Sequence, residues 1–127
     1  MSFKIKRVHH IKLTVSDLKK SELFYSKLPG FKKVADHDGF VMFFNGYFYL
    51  GLTDHKGKHS KDRFDEFRTG LDHISFEVSS KEDLNEAVKF FDSENIPHGD
   101  IEKLTNDTHI LVFRDPDNIQ LELSFKN

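Results

Sequence analysis

The runs "HIKLTVS" (residues 10–16) and "HISFEVS" (residues 73–79) decide how this chain is read, because the second repeats the first: His, Ile, Val and Ser coincide. Strand side chains alternate between faces with a period of two. In the first run Ile11, Leu13 and Val15 point one way, and His10, Lys12 and Thr14 the other. In the second, Ile74, Phe76 and Val78 oppose His73, Ser75 and Glu77. A third run, "IQLELSF" (119–125), sets Leu121, Leu123 and Phe125 against Gln120, Glu122 and Ser124. Each polar face carries one good metal ligand: His10, His73 and Glu122. Two neutral imidazoles and a carboxylate converging in a cavity make a divalent-metal site with positions left open for substrate.

Outward from these runs the chain reads as two similar halves. Strand Val8–Val15 meets the capping pair Ser16 and Asp17. A helical stripe of Leu18, Ser21, Phe24, Tyr25 and Leu28 follows, stopped by Pro29-Gly30. Strands are expected at Phe31–Val34, Phe40–Phe44 and Tyr47–Leu52, with turns at "DHDG" and "NG". The second half repeats the order. It has a strand over Asp72–Val78 and a helix opened by Ser80 and Asp83, with Leu84, Ala87, Val88 and Phe91 on one side. Asn95 and Pro97 end that helix, and strands follow near Ile101–Leu104, Thr108–Arg114 and Ile119–Phe125. Between the halves lies "DHKGKHSKDRFDEFRTG" (54–70), a charged linker read as a solvated face, in which "KDRFDEFR" suggests a short exposed helix. The expected fold is α+β: two βαβββ modules forming a curled eight-stranded mixed sheet around a cavity. The expected organisation is a single domain over 1–127, with module one at about 6–53, the linker at 54–70 and module two at about 71–126.

The composition sets limits. A chain of 127 residues buries roughly two-thirds of its unfolded surface. Fourteen Phe with no Trp suggest a core of phenyl rings. A net charge of -2, with both signs interspersed, gives no basic stripe for nucleic acid. The absence of Cys removes disulfides, thiol nucleophiles and Cys-ligated zinc. With no signal-like or membrane-spanning apolar run, a cytoplasmic protein is expected.

The motifs resemble a known family over nearly the whole chain. "HHIKLTVSDLKKSELFYSKLPGF" looks like the opening of a vicinal oxygen chelate (VOC) module, "GLDHISFEV" like the start of the second, and "VFRDPDNIQLELS" like the closing hairpin and strand. That superfamily includes glyoxalase I, extradiol dioxygenases, fosfomycin-resistance proteins, methylmalonyl-CoA epimerase and bleomycin-binding proteins. The resemblance implies a metal that chelates two neighbouring oxygens, held here by His10, His73 and Glu122. It also marks a departure. Glyoxalase I-like members usually place a fourth ligand, Glu or Gln, in the last strand of module one, where this chain has Gly51. The remaining two-His, one-carboxylate set is more like the ring-cleaving and fosfomycin-modifying branches. The turn "DPDG" stands here as "DPDN", and Asn118 tolerates the left-handed backbone such a turn needs.

The expected function is therefore a metal-dependent enzyme acting on a small oxygenated molecule, by lyase, isomerase, transferase or dioxygenase chemistry. Its metal acts as a Lewis acid; Fe, Mn, Zn, Ni and Co all suit the donors. The alternative is a resistance-type antibiotic-binding protein without catalysis. Lys12, two residues past His10, is a candidate to grip an anionic substrate, and Tyr49, on the face of Gly51, to supply a hydroxyl. No residue stands out as general base. His9 is read as structural, facing away from His10. His55 and His59 have helical-pair spacing but lie in the linker; His37, His98 and His109 have no partner pattern, although His109 shares the parity of Leu111 and Phe113. The expected partners are a small-molecule substrate and a second copy in a homodimer, without nucleic acid or membrane.

Overall fold

A computed structural model describes residues 2–127. The chain divides between Asp62 and Arg63 into two compact units, each a βαβββ module with its own sheet. The first contains β1 (His10–Thr14), α1 (Leu18–Lys27), β2 (Lys32–His37), β3 (Phe40–Phe44) and β4 (Tyr49–Thr53), followed by a 3-10 turn at His55–Gly57. The second contains β5 (Ile74–Glu77), α2 (Lys81–Ser93), β6 (Glu102–Lys103), β7 (Thr108–Arg114) and β8 (Gln120–Lys126). The eight expected strands thus form two four-stranded mixed sheets, ordered β1-β4-β3-β2 and β5-β8-β7-β6. In both, the first strand pairs in parallel with the last, and the other pairs are antiparallel.

Parallel pairing needs a crossover, and the helix supplies it. Asp17 caps α1, accepting from the Lys20 N–H at 3.2 Å; Leu28 ends it in an extended conformation, as a residue before proline prefers. Ser80 caps α2 by accepting from the Asp83 N–H at 3.1 Å, and the Asp83 carboxylate accepts from Ser79 N–H at the same distance. At its other end Asn95 takes a φ of 55°. Ile96 N–H then reaches the Phe91 carbonyl at 2.8 Å and Asn95 N–H the Asp92 carbonyl at 3.3 Å, the paired bonds of a Schellman stop.

Helix α1 packs on β3 and β4, and α2 on β7 and β8. The covered side of the first sheet buries Leu13, Val41, Phe43, Leu50 and Leu52 under Tyr25 and Leu28. That of the second buries Ile74, Leu111, Phe113 and Leu121 under Leu84 and Phe91. His109 is buried with this group, as its parity predicts, and its Nδ1 has no partner among the described residues. The core is not built mainly on phenyl rings: among the described residues only Phe43, Phe91 and Phe113 are fully buried phenylalanines, and Leu, Ile and Val fill most of the rest. Chain composition reports ring number, whereas burial depends on strand parity. Phe40 and Phe44 fall on the opposite face of β3 from Val41 and Phe43 and remain half-buried.

Several boundaries also move. β1 begins at His10 rather than Val8, and β4 at Tyr49 rather than Tyr47. The Asn45 side chain accepts from both Tyr47 and Phe48 N–H (3.0 and 3.2 Å), turning the "NG" hairpin into a longer loop. β2 runs on to His37 because a bulge between Lys33 and Ala35 absorbs Val34. "KDRFDEFR" forms turns, not a helix. Its Phe64 N–H bonds the Asp117 carbonyl at 3.0 Å, and the Asn118 side chain donates to the Phe64 carbonyl at 3.1 Å. These bonds tie the segment to the β7–β8 turn, where Asn118 takes the expected left-handed φ of 68°. Among the described residues no helix is long and apolar enough to cross a membrane.

After α2, His98 donates Nε2–H to the Asp92 carboxylate and Nδ1–H to the Gly99 carbonyl, both at 2.6 Å. A ring donating from both nitrogens is an imidazolium. Its pKa is held above the ordinary 6.5, chiefly by Asp92, then by Gly99, with Asp100 adding to the effect and burial opposing it. A raised folded-state value means that the stabilisation is complete below the unfolded value of about 6.5 and is lost as pH rises through the folded one. Melting temperatures measured from about pH 5.5 to about 9 are expected to separate wild type from His98→Gln most at the acidic end and to converge at the alkaline end. A gap independent of pH would contradict this assignment.

Candidate metal centre

Each module's first and last strands put the candidate ligands on the face away from the helix. In the second unit, the parallel register pairs Ser75 with Glu122 and Ile74 with Leu121. His73, one residue before β5, thereby lies diagonal to Glu122. Its Nε2 stands 3.8 Å from Glu122 Oε2, and its Nδ1–H donates to Asp72 Oδ1 at 2.7 Å. A carboxylate accepts only, so Nδ1 carries a proton, and in the neutral ring Nε2 holds the lone pair. Glu122 is the more sheltered partner, with a side chain 13% exposed against 39% for His73. Its Oε1 accepts from the Ser124 hydroxyl at 3.0 Å, and Ser124 shares a further hydrogen bond with Ser75.

In the first unit His10 pairs with Tyr49, and Lys12 with Gly51. The structure corrects the expectation for His9. This residue precedes β1, so strand alternation does not govern it, and its ring meets His10 edge-on with the two Nδ1 atoms 2.9 Å apart. One ring donates there and the other accepts. With His10 as donor, its Nε2 is the free lone pair, as at His73. His9 also stacks on Tyr49 at 5.5 Å, which stacks on Phe44 at 4.6 Å. Lys12 Nζ lies 4.8 Å from the centre of the Phe40 ring, a cation–π distance. The open face of this sheet is therefore aromatic, whereas that of the second carries Arg114, Gln120, Glu122 and Ser124.

Two polar residues missed from sequence, His9 and Asp72, engage the ring nitrogen that a metal would not use. Both immediately precede a candidate ligand, and that shared position in the repeat was the available signal. The "solvated" linker contributes as well. Arg114 holds Glu66 in a two-pronged pair, with Nη1–Oε1 at 3.0 Å and Nη2–Oε2 at 2.8 Å. The guanidinium draws the Glu66 carboxyl down to about 2, and the arginine's own pKa rises in return. This support is present above the ordinary carboxylate range and is lost only as pH falls toward about 2. His55 and His59 do not sit on a regular helix, since His55, Lys56 and Gly57 take φ of 50°, 59° and 75°. Among the described residues no three His, Cys, Asp or Glu side chains form a metal-binding group. His73 and Glu122 are brought together, and His10 belongs to the other unit.

Comparison with known proteins gives a consistent result. The family model of the Glyoxalase/Bleomycin resistance protein/Dioxygenase superfamily matches residues 7–123. The Bacillus subtilis (strain 168) protein YqjT is 28% identical over 123 residues, spanning 91% of this chain and 96% of that one. A glyoxylase/bleomycin resistance protein/dioxygenase domain from Frankia sp. EAN1pec superposes with a TM-score of 0.87 at 32% identity, covering 98% of this chain and 100% of the other. The fosfomycin resistance protein FosX from Listeria monocytogenes, crystallised with Mn(II) and sulfate, gives 0.78 at 18% identity over 98% and 93% of the two chains. At that identity the likeness shows the fold alone, and the fold is the vicinal oxygen chelate fold.

The registers make Gly51 the counterpart of Glu122: Gly51 pairs with Lys12 in β1 as Glu122 pairs with Ser75 in β5. A Cβ on Gly51 would meet Lys12 Cγ at 3.3 Å and the Met42 thioether at 3.5 Å, both flexible side chains. Gly51→Glu is therefore expected to fold once these side chains yield, and to give the first unit its own His–carboxylate pair. Calorimetric titration with Mn(II) or Zn(II) should show tighter binding than wild type. Unchanged affinity in the folded variant would mean that Gly51 does not adjoin the candidate site.

Proposed function

The chain belongs to the Glyoxalase/Bleomycin resistance protein/Dioxygenase superfamily, and from that premise we propose that it is a metal-dependent enzyme acting on a small oxygenated molecule through two neighbouring oxygens. His10, His73 and Glu122 are its proposed ligands for one divalent ion. The observation that carries this reading is the His73–Glu122 pair. Two donors that each lie about 2.0–2.2 Å from one tetrahedral ion stand about 3.4 Å apart, so their 3.8 Å separation requires only a small side-chain adjustment to share one. The Nδ1–H bond to Asp72 leaves Nε2 as the donor, the usual arrangement of a metal-bound histidine with its supporting carboxylate.

When bound, the ion supplies Lewis-acid stabilisation of negative charge developing on substrate oxygen. The chain's own residues bind and orient. Lys12 has no carboxylate partner among the described residues and is available to an anionic substituent. The Tyr49 hydroxyl is likewise unpartnered among the described residues and available to a polar one. Phe40 and Phe44 offer a flat apolar surface beside them. That surface also favours the second reading, a binding protein that captures an aromatic drug without chemistry. A homodimer is proposed as well, because β1, β2, β5 and β6 are edge strands within their own sheets. A cytoplasmic setting is part of the proposal, and the cysteine-free composition is compatible with it.

Elemental analysis of protein purified without chelator should find about one divalent ion per chain and a deficit in each of His10→Ala, His73→Ala and Glu122→Ala. Unchanged occupancy in all three variants would overturn the ligand assignment. Titration of vicinal diols, diketones and phosphonates should show affinity that depends on metal; affinity that survives metal removal would favour the binding protein.

A further inference from the structure

We infer that Gln120 is a positioning residue for the His73 imidazole, acting through Asp72 and anchored by Arg114. The inference rests on the metal-centre reading above. A continuous hydrogen-bonded chain leads to the ring. Arg114 is fixed by its two bonds to Glu66 and by Nη1 donating to the Asn118 carbonyl at 3.1 Å. Arg114 Nη2 also approaches Gln120 Oε1 at 3.4 Å. Gln120 Nε2 donates to both the Asp72 carbonyl and Asp72 Oδ1, each at 3.1 Å. Asp72 Oδ1 in turn accepts from His73 Nδ1–H at 2.7 Å.

The chemistry of each member leaves one direction for the whole chain. A guanidinium only donates, so the Gln120 amide must turn its oxygen toward Arg114 and its NH2 toward Asp72. A carboxylate only accepts, so His73 must carry its proton on Nδ1. In the neutral ring Nε2 then holds the lone pair, facing Glu122. Gln120 also holds Asp72 at two points, backbone and side chain, which stops the carboxylate from swinging away from the ring. Asp72 has a 69% exposed side chain, and a contact so open to water adds little to stability. Its effect is to select the tautomer.

The other module has a counterpart built from different chemistry. Gln120 stands one residue before the Ile74–Leu121 pair of the β5–β8 ladder, and the corresponding place across from His10 is Tyr49. Tyr49 stacks on His9, which hydrogen-bonds His10 Nδ1. In both units the side chain across the ladder holds the residue that precedes the candidate ligand, and that residue holds the ligand's Nδ1.

The test uses the full chain. Nitrogen-15 NMR of the metal-free protein reads the His73 tautomer, and calorimetric titration with Mn(II) or Zn(II) reads affinity. In wild type His73 is expected in the Nδ1–H form, the minor tautomer of a free imidazole. Gln120→Met, which keeps the volume and removes all three polar contacts, should return His73 toward a mixed tautomer. It should also weaken metal binding about 10–100-fold, with little change in melting temperature. Asp72→Ala should do the same, and Gln120→Glu, which keeps an oxygen for Arg114 but can no longer donate to Asp72, decides the matter if Gln120→Met does not fold. A His73 tautomer unchanged in the folded variants would overturn the positioning role, even if affinity or melting temperature fell. If wild type binds no metal, or His73→Ala binds as well as wild type, the metal-centre reading fails, and the tautomer comparison still decides the role of Gln120.

Discussion

The parallel pairing of first and last strand within each module is the constraint on which the rest depends. Two parallel strands cannot be joined by a tight turn, so the chain must cross over. The helix that makes the crossing brings its apolar stripe onto one face of the sheet. Strand alternation then leaves the other face to whatever the remaining positions carry. Because β5 and β8 run the same way, a histidine at the head of one and a glutamate early in the other become diagonal neighbours although 49 residues apart in the chain. The same pairing of β1 with β4 gives His10 a tyrosine across the ladder and a glycine where the glutamate would stand. One backbone arrangement thus serves both modules, and the side chains at equivalent places make them chemically unlike.

That unlikeness has a physical content. The open face of the second sheet is a hydrogen-bonded polar surface whose anchor, the Arg114–Glu66 pair, reaches into the segment between the modules. A two-pronged guanidinium–carboxylate pair is directional as well as attractive, and it keeps Arg114 extended toward Gln120. The open face of the first sheet is aromatic, with Phe40, Phe44 and Tyr49 exposing ring surface and the Lys12 ammonium over Phe40.

Much of this was legible in the sequence, for identifiable reasons. The helices were readable because apolar spacing coincided with good capping residues: Asp17, Ser80 and Asp83 act as their positions imply, and Tyr25, Leu84 and Phe91 are buried where the stripes place them. Strand parity put His10, Lys12 and Glu122 on the faces they occupy. Parity failed at His9, which precedes β1 and turns its ring onto His10. The turn structure of 61–68 was obscured because apolar spacing in "KDRFDEFR" imitates a helix, whereas its Glu66 and Phe64 bond to the β7–β8 region. The partners Asp72 and Gln120 were hidden for a related reason. Their roles depend on which side chains meet across a ladder, and strand order cannot be read from alternation alone.

The central proposal is that one ion is held by two imidazoles, His10 and His73, and one carboxylate, Glu122. X-ray absorption of the zinc- or cobalt-loaded chain tests it most directly, because multiple scattering from imidazole rings reports their number at the metal. Two imidazoles, with oxygen donors completing the shell at about 2.0–2.2 Å, is the predicted result. A spectrum with one imidazole or none would contradict the account.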